Sequence, residues 1–199
     1  MSTSSDEKEG IELTQLAPPT LVPSPTTKER ILHIAFRLFA TKGYEQTSLS
    51  EIAQELGFTK AALYYHFPAK DDLLTTIVNP FIERIDELLG NTSRPNSRKA
   101  RRALLENYLD TILDFRALVS TLANDRSALN HPQVGEKIKQ QTRALRSLLA
   151  GPKASVSDLV RASSALGCIQ ASILHFDGGP GLERARTVII AAALAALES

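Results

Sequence analysis

Between positions 59 and 70 lies a set of side chains suited to a charged, flat-faced partner. Lys60 and Tyr64 stand four residues apart, as do Ala61 and Tyr65, while Leu63 and Phe67 form a third pair at the same spacing. On a helix, residues four apart share a face. If Leu63 and Phe67 turn inward, the other two rows point outward together. Such a face offers an ammonium, two phenols and the imidazole of His66. Ala61 is small enough to let a base edge or thymine methyl approach. Thr59 can cap this helix, which leaves free amides and the positive end of its dipole facing outward. Lys70, at the start of the next helix, can reach a phosphate oxygen. These are the ingredients of a surface for duplex nucleic acid, in which phosphate contacts set position and few side chains remain to read bases.

The other chemistries have little to stand on. Cys168 is the only cysteine, so no disulfide closes within the chain and a zinc site of the usual kind is excluded. His33, His66, His131 and His175 are far apart in sequence, and no His-Glu-x-x-His pair, glycine-rich phosphate loop or nucleophile elbow occurs. The reading is of a protein that is not an enzyme, with no metal and no cofactor.

The elements around the reading face follow from local signals. Ile31, Ala35, Leu38 and Phe39 recur at one helical face, with Thr26 or Thr27 to start that helix and Gly43 to end it. Ser48 and Glu51 have the spacing of a capping box for a second short helix, whose apolar side is Ile52, Ala53 and Leu56. Gly57 supplies a left-handed turn residue, and a third helix over 60–67 stops at Pro68. The 48–67 segment therefore has the size and punctuation of a helix-turn-helix. A long helix is expected over 70–89, then further ones over 98–114, 115–129, 133–150, 155–176 and 182–197. About nine helices and no strand give an all-α fold.

The motif RILxxAxxLFAxxGYxxTSLSEIAxxLGFTKxxLYYHFxxKxxLL, from Arg30 to Leu74, resembles the DNA-binding domain of TetR-family transcriptional regulators. The similarity covers residues 28–74. It implies a three-helix helix-turn-helix head, a long fourth helix and a larger helical domain for ligand binding and dimerisation. It also implies DNA contacts at Thr47, Ser48, Thr59, Lys60, Ala61, Tyr64, Tyr65, His66 and Lys70. Ala61 departs from the glycine the family often has there, and its Cβ alters how closely the helix can approach DNA. Thr47 and Ser48 also read as structural caps.

Three segments result: a disordered leader over 1–25, a head over 26–72 and a helical ligand-binding and dimerisation domain over 73–199. The leader holds Pro18, Pro19, Pro23 and Pro25 and carries a net charge of −3, whereas 26–70 carries +2. With +1 overall, attraction to DNA must come from a local patch. The absence of a signal peptide, and of an apolar run long enough for a bilayer, suggests a cytoplasmic protein.

In the body, small and large apolar residues alternate along the last two helices. Ala162, Ala165, Leu166, Ile169 and Ile173, with Val188, Ile189, Ala192 and Ala196, are the expected homodimer interface. Candidates for a small-molecule pocket are the polar residues Asn124, His131, Cys168, Gln170 and His175, with Phe115, Leu118 and Leu122 as walls. The functional expectation is a repressor released from its DNA operator by a small molecule. An all-α enzyme and an architectural DNA binder without an effector are the alternatives.

Overall fold

The computed structural model describes residues 25–175 and 180–198. Apart from Pro25, the leader lies outside the described residues, as does the side chain of His175.

Three short helices form the head: α1 (Thr27–Lys42), α2 (Leu49–Leu56) and α3 (Lys60–His66). Each begins on a hydroxyl that satisfies an otherwise orphaned amide. Thr26 Oγ1 accepts from Glu29 N at 3.2 Å while Glu29 returns to Thr26 N at 2.7 Å, which closes a full capping box. Ser48 Oγ accepts from Glu51 N at 3.2 Å, but the expected box forms only by half. The Glu51 carboxylate turns away to Lys42 and pins α2 to the end of α1. Thr59 Oγ1 accepts from Ala62 N at 3.2 Å. Two of the turns need glycine: Gly43 at φ 90°, ψ 155° and Gly57 at φ 69°, ψ 25° sit where a side chain would be strained. Ile31, Ala35, Ile52, Leu63 and Phe67, each at most 2% exposed, fill the space between the helices.

Helix α4 (Lys70–Asn91) leads out of the head. It packs on α1, on α5 (Arg98–Asp114) and on α8 (Pro132–Ala150). Pro80 lies inside it. A proline there removes one rung of the hydrogen-bond ladder, yet the helix runs on without a break from Lys70 to Asn91.

Between α5 and α8, one long helix was expected and two are found: α6 (Arg116–Asn124) and α7 (Arg126–Leu129). Asp125 makes the break. Its backbone is extended, and Oδ1 accepts from Ser127 N at 2.9 Å and Ala128 N at 3.4 Å, which starts a new helix. The described residues thus contain ten helices rather than nine, and no strand.

The last two helices, α9 (Val156–His175) and α10 (Pro180–Glu198), pack closely together and against α5, and α9 also packs on α8. This corrects six of the nine residues of the expected interface. Ala162, Ala165, Leu166, Ile169 and Ile173 are all 3% exposed or less, and Ile189 is 5% exposed. They are core within one subunit, where the alanines let the helices approach and the larger chains supply buried area. Val188 is 68% exposed, Ala192 is exposed and Ala196 is half-buried, on a different face of α10. On α9, Val156 and Val160 are similarly bare, at 79% and 58%.

Candidate nucleic-acid interface and effector cavity

Helix α3 presents the ridge that its spacing predicts. Leu63 is fully buried, and Lys60, Ala61, Tyr64, Tyr65 and His66 are all exposed. Tyr65 stands 86% exposed, with the edge of His66 against its ring at 5.4 Å between centroids. Tyr64 is 41% exposed and has the Lys60 ammonium 5.6 Å from its ring centre. The cation and the two phenols therefore share one solvent-facing surface. Ser48 and Thr59, at the starts of α2 and α3, are exposed as well.

Two expected contacts are placed otherwise. Thr47 is 2% exposed, and its hydroxyl donates to Gly43 O at 2.8 Å. Its side chain closes the turn after α1 and is not offered to a partner. Lys70 Nζ donates to Tyr44 O at 2.7 Å and Glu45 O at 3.2 Å, and lies 4.3 Å from the Tyr44 ring centre. Its charge holds the α1–α2 turn, whose carbonyls have no helical donor.

That turn is also where head meets body. Tyr44 N donates to Asp125 Oδ2 at 2.5 Å, and the Tyr44 hydroxyl donates to Asp71. The other Asp71 oxygen is 3.2 Å from His131 Nε2, while His131 Nδ1 accepts from Val134 N at 3.4 Å and caps α8. One side chain from each of α6–α7 and α7–α8 thereby grips the head. The hydrogen bond from Tyr44, then that from His131, holds the Asp71 carboxyl below its ordinary range. For Asp125, burial pushes upward, but the bonds from Ser127, Tyr44 and Ala128 outweigh it and the net shift is downward. Tyr44 is moved upward by burial first and by Asp71 second.

A cavity of about 320 Å³ opens among α4 to α9. Phe81 and Ile85 line it from α4, Tyr108 and Ile112 from α5, and Val119 and Leu122 from α6. Ile138, Gln141, Thr142 and Leu145 of α8 close the opposite side, with Leu129 of α7 and Gln170 of α9 at its margins. Small-molecule sites have this character: mostly apolar walls and a few placed polar groups. Gln170 Nε2 donates to the Tyr108 hydroxyl at 2.7 Å, and burial raises the Tyr108 phenol to about 12. Gln141 Nε2 is spent on Ile82 O at 2.7 Å and Asp86 Oδ1 at 2.9 Å.

Of the expected pocket residues, Leu122 and Gln170 line this cavity. Phe115 and Leu118 do not; they border a separate shallow hollow with Phe36 and Ile77, although the Phe115 ring meets Phe81 edge-on at 5.6 Å. Asn124 faces a surface cleft between α1 and α6. His131 is committed to α8 and Asp71, and Cys168 is half-buried away from the cavity. Among the described residues no cluster of His, Cys, Asp or Glu could hold a metal ion, and no helix is long and apolar enough to cross a membrane.

With this geometry in place, residues 31–77 match the family model for bacterial regulatory proteins of the tetR family. The head is a tetR-family domain. Over 117 residues the chain is 32% identical to YuxN of Bacillus subtilis, an uncharacterized HTH-type transcriptional regulator, covering 56% of this chain and 40% of that one. Over 62 residues it is 44% identical to the HTH-type transcriptional regulator AcrR of Shigella flexneri, covering 31% of this chain and 29% of that protein. The chain spans less than half the length of these relatives. Its likeness to solved structures is longer. A transcriptional regulator of Aquifex aeolicus superposes with a TM-score of 0.61 at 26% identity, covering 87% of this chain and 98% of the other. AmtR of Mycobacterium smegmatis superposes with a TM-score of 0.61 at 26% identity, covering 89% and 88%. The tetR-type head thus sits on a helical body whose course those regulators share.

Tyr44, Asp71, Asp125, Tyr108 and Gln141 were not singled out by sequence. Tyr44 and Asp125 are 81 positions apart, so no local pattern links them. Asn124-Asp125, in contrast, was a readable signal for a helix stop followed by a cap.

Proposed function

We propose that this protein is a DNA-binding transcription regulator that acts as a homodimer and whose grip on DNA is released by a small molecule. Repression is the simplest mode. The observation that carries the reading is the bare α3 ridge, above all Tyr65. A large aromatic ring left 86% exposed, beside a histidine and on a capped helix that also carries Lys60, is placed for an outside partner rather than for the core. Lys60 and the α3 amides would meet phosphate, and Ala61, Tyr64 and Tyr65 the major-groove edges. Thr47 and Lys70 would position the turn behind the ridge.

Two heads are needed to meet two half-sites about one helical turn of DNA apart. The bare faces of α9 and α10, with Val156, Val160 and Val188, are the surface through which two copies would pair. The cavity would take the effector. Leu122 and Leu129 line it, and between them in sequence lies Asp125, which holds Tyr44 of the head. A ligand that favours one placement of α6–α7 would shift the heads only to the extent that it binds that placement more tightly.

Recovery of genomic fragments on the purified full-length protein tests the reading. A small set of fragments sharing a two-fold related sequence is the expected outcome. Retention of none, or of all fragments alike, would overturn it.

A further inference from the structure

The apolar cavity does not end at Thr142. A second hollow, of about 580 Å³, shares Leu129, Ile138 and Thr142 with it and opens outward between α7 and α8. The two differ in charge. Among the described residues, no ionisable side chain other than the Tyr108 phenol lines the inner cavity. The outer one is lined by Arg126, Lys139 and Arg143 and, among the described residues, by no carboxylate. Arg143 reaches Glu136 at 3.5 Å, whereas the charged ends of Arg126 and Lys139 have no partner among the described residues.

We infer that the effector is an amphipathic anion, an aliphatic chain ending in a carboxylate, whose chain fills the inner cavity and whose carboxylate rests at the basic mouth between α7 and α8. A charge carried into the inner cavity would lose its hydration and meet no opposite charge in return. At the mouth it keeps water and gains two cations. A cationic amphiphile would meet like charge there. The site also explains how such a ligand acts. Arg126 adjoins Asp125, the residue that holds the head, and Leu129 borders both hollows, so an occupant bears directly on α7. This inference rests on the reading of the cavity as the effector site.

Calorimetric titration of the full-length protein with octanoate, decanoate and dodecanoate, and with the alcohols and trimethylammonium salts of the same chains, tests it. Affinity for the carboxylates should rise about fourfold per methylene until the cavity is full. At low salt each carboxylate should bind about tenfold more tightly than its alcohol, as two solvent-facing ion pairs allow, and the gap should narrow as salt screens them. The double variant Arg126→Gln, Lys139→Gln alters only exposed side chains. It should bring the carboxylate down to the alcohol's affinity and leave the alcohol unchanged. Binding of no amphiphile, equal binding of acid and alcohol, or preference for the cation would overturn the inference without any variant. Recovery of DNA fragments by the ligand-free protein is scored separately. Selection of DNA without amphiphile binding removes this inference and keeps the regulator; carboxylate binding without DNA selection removes the regulator and keeps the site.

Discussion

Asp125 joins head to body through its two oxygens, one on Tyr44 N and one at the start of α7. Replacement by alanine would leave the Tyr44, Ser127 and Ala128 amides without acceptors. Stranded donors of this kind cost about 1–3 kcal/mol each when buried, so Asp125→Ala should lower the thermal midpoint by several degrees. Asp125→Asn keeps the shape and should cost less. The acid limb of the stability curve follows from the same residues. Asp71 and Asp125 have folded pKa values lowered from the ordinary 3.8. Their contribution is therefore complete above that value and is lost as pH falls through the folded values. The denaturant midpoint should drop below about pH 4, and less steeply in Asp125→Asn; an unchanged acid limb in that variant would contradict the assignment. None of this grip was legible in sequence, because Tyr44, Asp71 and Asp125 come from three distant segments. Lys60, Tyr64 and Tyr65 were legible, because spacing on one short helix fixes their common face.

Helices were read well where local chemistry decides them. Thr26, Ser48 and Thr59 start α1 to α3 through their own hydroxyls, and Gly43 and Gly57 end two of them, all within a few residues. The α6–α7 break was missed because Asp125 interrupts an otherwise continuous helical pattern. On α9 and α10, six of the expected interface residues are core for another reason. An alanine-rich helix is apolar on more than one side, and periodicity does not say which side meets its own subunit. Gly135 shows a packing constraint of the same tertiary kind. A Cβ there would fall 1.9 Å from Leu129 O, so α7 rests on α8 only because the side chain is absent. Gly135→Ala must force α7 outward and should cost about 1–3 kcal/mol in chemical unfolding, as overpacking generally does. Equal stability of variant and parent would show that α7 does not lie so close to α8.

At the scale of the whole molecule, one subunit carries an exposed ridge on α3, a cavity in the body and an uncovered face on α9 and α10. If that face pairs two copies, Val188→Glu should yield monomers in sedimentation while helix content stays unchanged. A variant that remains dimeric would place the interface elsewhere. Ile173→Glu should instead unfold the subunit, since that side chain is 1% exposed within it. The most direct measurement concerns the ridge: the affinity and salt dependence of a recovered DNA fragment for the parent protein, Tyr65→Ala and Lys60→Ala. Both side chains are exposed, so fold and dimer should persist. Tyr65→Ala should weaken binding by about tenfold, within the ~1–3 kcal/mol of a base-reading contact. Lys60→Ala should flatten the slope of log affinity against log salt by about 0.9 per phosphate contact removed. Folded, dimeric variants that bind the fragment with the parent's affinity and slope would contradict the account.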